Sequence, residues 1–555
     1  MTSLYISLGH NSSCVLAKGM SIIVGFEQER LDRVKSSSAY PRLAIDRCEM
    51  YAGEPIEAAY VGHWFDDFGL KDSKYLDMEH LRSVTKNIVG LSPEFTHHDS
   101  HAQSAMSFYR SVSGREFEDA DIVVLDGFGN RQECLSVYEV SGLPGTRPKL
   151  KHRTYGYRRS LGLMYQYTTS YLGLKMHQDE YKLLGYESHV LEYMTHGKAA
   201  EVKARIAEQA RDHVEIMLFA EAKPAPQYGD LIDREELENA KTMWFERAAK
   251  WRKMFDHRLS EDGVRACIAF CAQTFLEECV VELIDRLCPV PMGKPAPALI
   301  LTGGCFYNVK LNRRIMVDTQ RRIFPHPLAG DQGAAMGHYP GLYSKDLSWG
   351  DRAILGRNGQ LPVGVEMVGR DRWAMRAVEL IESDRIVNVV RDGMEFGPRA
   401  LCNTTTFALP TRENVRRINA LNERDEFMPM APVLTASAAN SMFVNFDYAR
   451  TTYANRFMIT TCAFAVKPPA QLMGVAHKDP VDEFYTARPQ VVNDFSDLGR
   501  MLQQFPHETL INTSFNYHGE PIVWSEDDAC KTHEMQCFRA ESLSMTKPIT
   551  LLVRS

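Results

Sequence analysis

The chain opens on short apolar runs separated by polar turns. Leu4–Leu8 is apolar, Gly9-His10-Asn11-Ser12-Ser13 interrupts it, Cys14–Ala17 resumes, Lys18-Gly19 turns again, and Ser21–Phe26 closes the series. Runs of this length between glycine and hydroxyl residues predict strands joined by tight turns. The pattern returns at Asp121–Leu125, the turn Asp126-Gly127-Phe128-Gly129-Asn130 and Leu135–Val140. Strand, glycine turn, strand thus occurs twice, as in a domain built from two similar α/β halves with a ligand between them. Helical stretches follow: an aromatic one from about Ser160 to Leu172, a charged one over 198–255, and a long apolar one, Val264–Leu287, that reads as core. Pro297–Leu301 is a buried-type strand, and Ile386–Val390 opens a further α/β stretch with a helix at Arg416–Asn422. Residues 340–370 are rich in Gly, Pro and Asp without periodicity and read as a linker. An α/β fold in two domains, 1–350 and 365–550, is the expectation.

Composition changes this picture little. The 555 residues are ample for more than one core. With 64 basic and 71 acidic residues the net charge is −7, so no global basic bias announces nucleic acid. Two local aromatic–basic runs, Tyr155–Arg159 and Ala248–Phe255, are of a type that can grip a polyanion or form an amphipathic helix. Twelve cysteines without a CxxC pair suit a reducing setting. The start, MTSLYISLGHNSS, lacks the features of a signal peptide, and no run of 18 apolar residues spans a membrane. A cytoplasmic protein with no membrane partner is expected, in an oligomeric state, a homodimer included, that the residues leave open.

Candidate chemistry clusters in a few motifs. In Thr96-His97-His98-Asp99-Ser100-His101, with Pro93 upstream, a helix puts His97 and His101 at i and i+4 on one face, where they can share a metal ion. His98 lies about 100° round that helix and leaves the face. Thr302-Gly303-Gly304-Cys305-Phe306-Tyr307-Asn308 follows a strand and lets backbone N–H groups approach a nucleotide. In Gly330-Asp331-Gln332-Gly333, Asp331 is expected to cap a helix of small residues and turn its carboxylate toward the cleft. Asp179, Glu180 and Lys182 are expected on a polar loop. Arg399, Arg488 and Ser514 are the group types that hold phosphate.

Taken together, GHNSS (9–13), the EQER–R–K run (27–35), HHDSH (97–101), LDGFG (125–129), SLGLMY (160–165), LTGGCFYN (301–308), GDQGAAMG (330–337), EFGPRAL (395–401), TARPQ (486–490) and NTSFN (512–516) resemble the nodulation-type and antibiotic-tailoring O-carbamoyltransferases nearly end to end. That resemblance implies an N-terminal module similar to the Kae1 branch of the actin-like ATPases (the ASKHA fold, a duplicated α/β domain) and a C-terminal YrdC-like α/β module. It implies that the second module forms carbamoyl adenylate from carbamoyl phosphate and ATP, with magnesium accompanying ATP. The first would pass the carbamoyl group to an acceptor hydroxyl on a small natural product or sugar. A hydroxymethylated pyrimidine such as 5-hydroxymethylcytosine, in nucleotide or viral DNA, is an alternative acceptor. A threonylcarbamoyl-type N-transfer to transfer RNA and a non-catalytic nucleotide-binding regulator are alternative activities.

By the same resemblance His97, His101, Asp126 and Asp331 would hold a divalent metal, iron by family precedent, with manganese and zinc equally suited to such ligands. His10 would stand near the transferred carbonyl as general base or oxyanion donor, with Lys182 and Arg399 as further catalytic groups. Gly303, Gly304, Asn308 and Gly330 would cradle the nucleoside. Arg399, Arg424, Arg488, Asn512 and Ser514 would hold carbamoyl phosphate and ATP phosphates. One departure stands out. Where the family reads Lys-x-Arg-acid-x-Phe-Arg-Pro, this chain has Asn422-Glu423-Arg424-Asp425-Glu426-Phe427-Met428-Pro429, and Met430 replaces an aromatic residue. Two cations are missing, so Arg424, with Arg416 or Arg417, must replace them or adenylate formation is weak.

Overall fold

The structure is a computed structural model. It describes the chain except residues 63–75, 90–94, 114–117, 143–145, 220–231, 291, 294, 340, 342–346, 348, 350–360, 392, 429, 445–453, 482–483 and 555. Pro93 and most of the expected linker lie outside the described residues. The chain forms two compact units. One comprises Met1–Ile23, Ser36–Lys345 and Pro480–Asp482, and the other Val24–Lys35, Asp346–Asp479 and Glu483–Ser555.

The first unit is built on two five-stranded sheets. β1 (Thr2–Ser7), β2 (Ser13–Lys18), β3 (Ser21–Glu27), β4 (Ala58–Gly62) and β5 (Ile88–Val89) order as β3-β2-β1-β4-β5, with β3 running out of the unit at its far end. β6 (Ala120–Leu125), β7 (Glu133–Val140), β8 (Lys149–Tyr155), β9 (Ala298–Thr302) and β10 (Ile323–Pro325) order as β10-β9-β6-β7-β8. In both sheets the first strand is central, antiparallel to the second and parallel to the fourth, which is parallel to the fifth. The repeat read from the turn pattern is therefore a true duplication of topology, the arrangement expected of the actin-like resemblance.

The helix His97–Ser113 seats on the second sheet through Ala102, Ala105, Met106 and Tyr109 against Ile122, Val124 and Ile300. These positions follow i, i+3, i+4, i+7, one apolar stripe. Burial of a side chain such as Met106 contributes about 1.5–3 kcal/mol. Glu180–Glu187 is a helix, not the polar loop expected, and it buries Leu183 and Tyr186 beside Lys182.

The second unit has a seven-stranded mixed sheet. β11 (Val365–Gly369), β12 (Val387–Val390), β13 (Thr404–Ala408), β14 (Ala431–Thr435), β15 (Gln490–Val492), β16 (Thr509–Ser514) and β17 (Ile549–Arg554) order as β11-β17-β12-β13-β16-β14-β15. Trp373, Ala377, Leu380 and Ile381, one stripe of the helix Trp373–Glu382, pack with Val387, Val389, Val433 and Leu551 of the sheet. No helix among the described residues is long and apolar enough to cross a membrane.

Candidate functional site

In the first unit four side chains converge. His97 and His101 stand one turn apart on the His97–Ser113 helix, Asp126 ends β6, and Asp331 opens the helix Asp331–Ala334. One ligand atom from each lies within 4.8 Å of the others. The two Nε2 atoms are 3.1 Å apart. His97 Nε2 is 3.2 Å from Asp126 Oδ2 and 3.5 Å from Asp331 Oδ1, and His101 Nε2 is 3.5 and 3.6 Å from the same two oxygens. Donors about 2.0–2.1 Å from one tetrahedral ion lie about 3.3 Å apart, so these separations fit a single small cation. Charge points the same way. Burial lowers the His97 pKa, but Asp331 and Asp126 outweigh it and carry it up to about 10. Burial pushes Asp331 up, and His97 and His101 reverse this and hold it at about 2. Two half-buried carboxylates beside two buried imidazoles thus favour a positive partner.

Asp331 is not the helix cap expected. Gly330 holds that position, and Asp331, one residue on, makes no capping bond. Its carboxylate is free to face the histidines, while Ser7 Oγ, at the end of β1, donates to its carbonyl at 2.6 Å. Asp126 gives Oδ1 to the Gly127 N–H at 2.7 Å and keeps Oδ2 for the cluster. Ser160 Oγ donates to the Gly127 carbonyl at 2.5 Å, and a Cβ on Gly162 would stand 2.7 Å from Asp126 O, which explains a small residue there.

The residues behind the histidine pair carry no motif signal. Asn130 Oδ1 accepts the His97 N–H at 2.6 Å and Glu133 Oε1 accepts the His98 N–H at 3.0 Å. The turn after Asp126 therefore satisfies the first N–H groups of the helix that carries the other two ligands. Glu133 is fully buried, and Arg153 lies 3.2 Å from it and 2.9 Å from Asp99. His98 turns away, as its helical position predicts, and bonds Ser136 Oγ at 2.8 Å.

His10 stands three residues past the end of β1, in the turn that leads to β2. Its ring lies 5.4 Å from that of His177, a residue that no sequence motif singles out. His177 adopts φ +63°, which costs a non-glycine residue about 1 kcal/mol or more, and Glu180 accepts its N–H at 2.5 Å. A positive-φ histidine leaves no mark in a hydropathy pattern. Lys182 is buried and pairs with Asp179 at 3.3 Å. Gly303, at φ +95°, packs so closely that a Cβ would stand 2.3 Å from Leu125 O, and one on Gly304 would come 3.0 Å from Asp126 Oδ1. A Cβ on Gly330 would meet Tyr307 at 2.8 Å. Asn308 is the N-cap of the helix Val309–Thr319, accepting from Leu311, and exchanges amide bonds with Gln273. It shapes the loop instead of presenting a free amide.

In the second unit Arg488 lies beside Arg399. Burial and the Arg399 charge push the Arg488 pKa down to about 9. Arg424 reaches Thr513 Oγ1 at 2.7 Å, Ser514 Oγ at 3.2 Å and Asn516 Oδ1 at 2.9 Å. Asn512 is buried within β16 and donates to the Ala400 carbonyl at 2.9 Å and to Gln490 at 2.5 Å, so it holds the Arg399 loop from behind. Asn422, where the resemblance leads one to expect lysine, is 1% exposed and accepts from Gln536 at 2.9 Å. Gln536 in turn accepts from Asn388 at 2.7 Å. Position 422 is committed to a buried amide network. Arg417 is tied to Asp384 at 3.0 Å, whereas Arg424 reaches the Ser514 turn. Met430 is a core residue packed with Ile418, Leu421 and Ile511. In each of the two basic runs one aromatic residue is core, while Tyr155 and Phe255 are half-buried. Trp251 and Tyr157 are 1% and 2% exposed, so neither offers a stacking face.

Fold and site thus define a two-unit α/β protein with a cluster of two histidines and two carboxylates in one unit and an arginine pair in the other. Residues 59–338 match the family model for the carbamoyltransferase N-terminus and residues 378–547 that for the carbamoyltransferase C-terminus. The chain belongs to the carbamoyltransferase family and is a carbamoyltransferase. It is 27% identical to an uncharacterized protein of Methanocaldococcus jannaschii over 94% of each chain. It is 28% identical to nodulation protein NolNO of Sinorhizobium fredii over 94% of this chain and 76% of that one. A 3'-hydroxymethylcephem-O-carbamoyltransferase of Amycolatopsis lactamdurans is 26% identical over 48% of this chain and 52% of the relative. Among solved structures, Acidaminococcus fermentans (R)-2-hydroxyglutaryl-CoA dehydratase component A aligns with a TM-score of 0.31 and 14% identity over 61% of this chain and 95% of its own.

Proposed function

We propose that this carbamoyltransferase is ATP-dependent and acts on a hydroxyl. The second unit would form carbamoyl adenylate from carbamoyl phosphate and ATP, and the first would transfer the carbamoyl group. The observation that carries this reading is the four-donor cluster in a member of this family, supported by the arginine pair of the second unit. A cephem relative named for a hydroxymethyl acceptor supports oxygen as the nucleophile. The reaction balances as ATP, carbamoyl phosphate, water and an alcohol giving AMP, pyrophosphate, phosphate and the alkyl carbamate. In the last step the alcohol oxygen bonds to the carbamoyl carbon, the bond to the AMP oxygen breaks, and the hydroxyl proton leaves to a base.

His97, His101, Asp126 and Asp331 would hold the divalent metal, iron, manganese or zinc. The ion would supply Lewis-acid polarisation and a template for the adenylate phosphate. His10 is our candidate for the proton: as a neutral imidazole it accepts it from the alcohol, as an imidazolium it donates to the carbonyl oxygen. Gly304, at the Asp126 carboxylate, leaves room for the nucleoside phosphate. In the second unit Arg399, Arg488 and Arg424, with Ser514, would bind the phosphates through charge-assisted bonds. The acceptor class we favour is a small hydroxylated metabolite, since the cephem relative is named for such an acceptor and each expected nucleic-acid patch buries one of its two aromatic residues, Tyr157 and Trp251.

Incubation with ATP, carbamoyl phosphate and a mixed panel of sugars and hydroxymethyl compounds should release pyrophosphate and give an acceptor heavier by one carbamoyl group in mass spectrometry. Neither product from any acceptor would sink the proposal. Removing the metal with a chelator should stop transfer, and adding back iron, manganese or zinc should restore it.

A second expectation concerns the support behind the ligands. Glu133→Ala deprives the His98 N–H of its acceptor and Arg153 of a buried partner. Metal affinity, measured by competition with a chelator, should fall about 10–100-fold, as for outer partners of metal ligands. Glu133→Gln keeps an acceptor oxygen and should lose less. Equal, wild-type affinity in both would show that this carboxylate does not orient the histidine pair.

A further inference from the structure

The run Glu27-Gln28-Glu29-Arg30 takes no part in the chemistry proposed above, yet Glu27 and Arg30 are among the most deeply buried charged residues of those described. Glu27 is 4% exposed and Arg30 0%. The segment Val24–Lys35 belongs to the second unit, whose remaining residues begin only at Asp346. Both side chains bond the backbone of one residue, Gly397, and so hold the two successive peptide groups that flank its Cα. Glu27 Oε2 accepts the N–H of Gly397 at 3.0 Å, and Arg30 Nη2 donates to the carbonyl of Gly397 at 2.9 Å. Arg30 Nε stands 3.4 Å from Glu27 Oε2, which closes the clamp.

Gly397 sits at φ +109°, a backbone conformation that L side chains rarely adopt, and Arg399 follows two residues later. The other flank of this loop is stapled from within. Glu395 Oε1 accepts the N–H groups of Leu401, Asn403 and Thr404 at 2.9, 2.9 and 3.0 Å. Asn512 holds the Ala400 carbonyl. The stretch that presents Arg399 is therefore pinned on its C-terminal side by the second unit's own sheet and on its N-terminal side by the Glu27–Arg30 pair.

A buried ion pair is a poor way to gain stability, because desolvation offsets most of the Coulomb attraction. Burial, helped by the Glu29 charge, drives the Glu27 carboxyl up to about 7 against the pull of Arg30 and the Gly397 N–H. Such a pair is best explained by what it holds in place. We propose that Glu27 and Arg30 are positioning residues of the second unit: they fix the two peptide groups on either side of the Gly397 Cα, and through them the Arg399 guanidinium, in the geometry that receives the phosphorylated substrate. The identity of that substrate rests on the function proposed above, whereas the clamp itself does not.

The test uses the full chain with Glu27→Ala, Glu27→Gln, Arg30→Met and Arg30→Lys. Two quantities are read: carbamoyl phosphate binding by calorimetry, and hydrogen exchange of the 395–401 amides, with thermal melting to confirm folding. Glu27→Ala leaves a buried N–H without a partner, so the Kd should rise about tenfold, and amide protection across the loop should fall by a similar factor. Glu27→Gln keeps an acceptor for Gly397 and should stay within about threefold of wild type. Arg30→Met should resemble Glu27→Ala, with partial rescue in Arg30→Lys. Unchanged Kd and exchange in a folded Glu27→Ala chain, or a Glu27→Gln chain as impaired as Glu27→Ala, would overturn the proposal. If the wild-type chain binds no carbamoyl phosphate, the proposed function fails instead, and the exchange measurement alone decides the clamp.

Discussion

A chain carrying His97→Ala or His101→Ala is expected to lose its metal and its carbamoyl transfer while releasing pyrophosphate at close to the wild-type rate. The cluster is small and its atoms are shared. Each Nε2 lies 3.1–3.6 Å from the other donors, so removing either imidazole opens one side of the cation's coordination. Metal affinity should fall by more than the roughly 10–100-fold seen when an outer partner is removed. The helix should survive, since alanine is the best helix former and the bonds from His97 and His98 to Asn130 and Glu133 are made by backbone N–H groups. Metal content by elemental analysis, with transfer and pyrophosphate release assayed separately, reads the three effects. His98→Ala is the internal control: it removes the Ser136 bond but no donor, and should keep its metal. Full transfer by both cluster variants without bound metal would refute the metal reading.

Much of this site is legible in the sequence because its ligands sit where local patterns end. A helix period puts His97 and His101 on one face whatever the rest of the chain does. An apolar strand followed by Asp-Gly marks Asp126 as a strand-end residue, and the recurrence of strand, glycine turn, strand announces the duplicated sheet. Residues whose roles depend on contacts distant in sequence are not legible. Nothing near Glu133 says that its carboxylate will meet the start of a helix 35 residues earlier. Nothing in Asn422 shows that Gln536 will enclose it. Asp331 reads one position off because a carboxylate at a helix start looks the same as a cap or as the residue after it. Charge density misleads at Lys182, whose neighbours form a helix with an apolar buried side. The membership of Val24–Lys35 in the second unit is invisible to any reading that cuts the chain at its linker.

The arginine pair of the second unit should behave as a stored repulsion that substrate relieves, and Arg488→Met is the variant that exposes it. Burial and the neighbouring Arg399 lower the Arg488 pKa from its ordinary value to about 9. For a cation depressed in this way, the favourable contribution to folding exists only above the unfolded-state value and is lost as pH falls through 9. At neutral pH the guanidinium is charged and the whole penalty stands. An anion between the two forks cancels it. Wild-type protein should therefore melt higher with carbamoyl phosphate: at a hundred times Kd the gain is about 2.7 kcal/mol, or several degrees for a unit of this size. Arg488→Met removes the repulsion and should raise the melting temperature of the ligand-free protein. It should also abolish the ligand-dependent rise and slow pyrophosphate release by about a hundredfold, the worth of two charge-assisted hydrogen bonds. Arg488→Lys keeps a charge but lacks the planar fork, and should show neither the gain in the ligand-free state nor full activity. Calorimetry with and without carbamoyl phosphate separates the outcomes. A ligand-free Arg488→Met protein that melts lower than wild type and still gains from carbamoyl phosphate would mean that the pair is a structural contact and that the phosphates bind elsewhere.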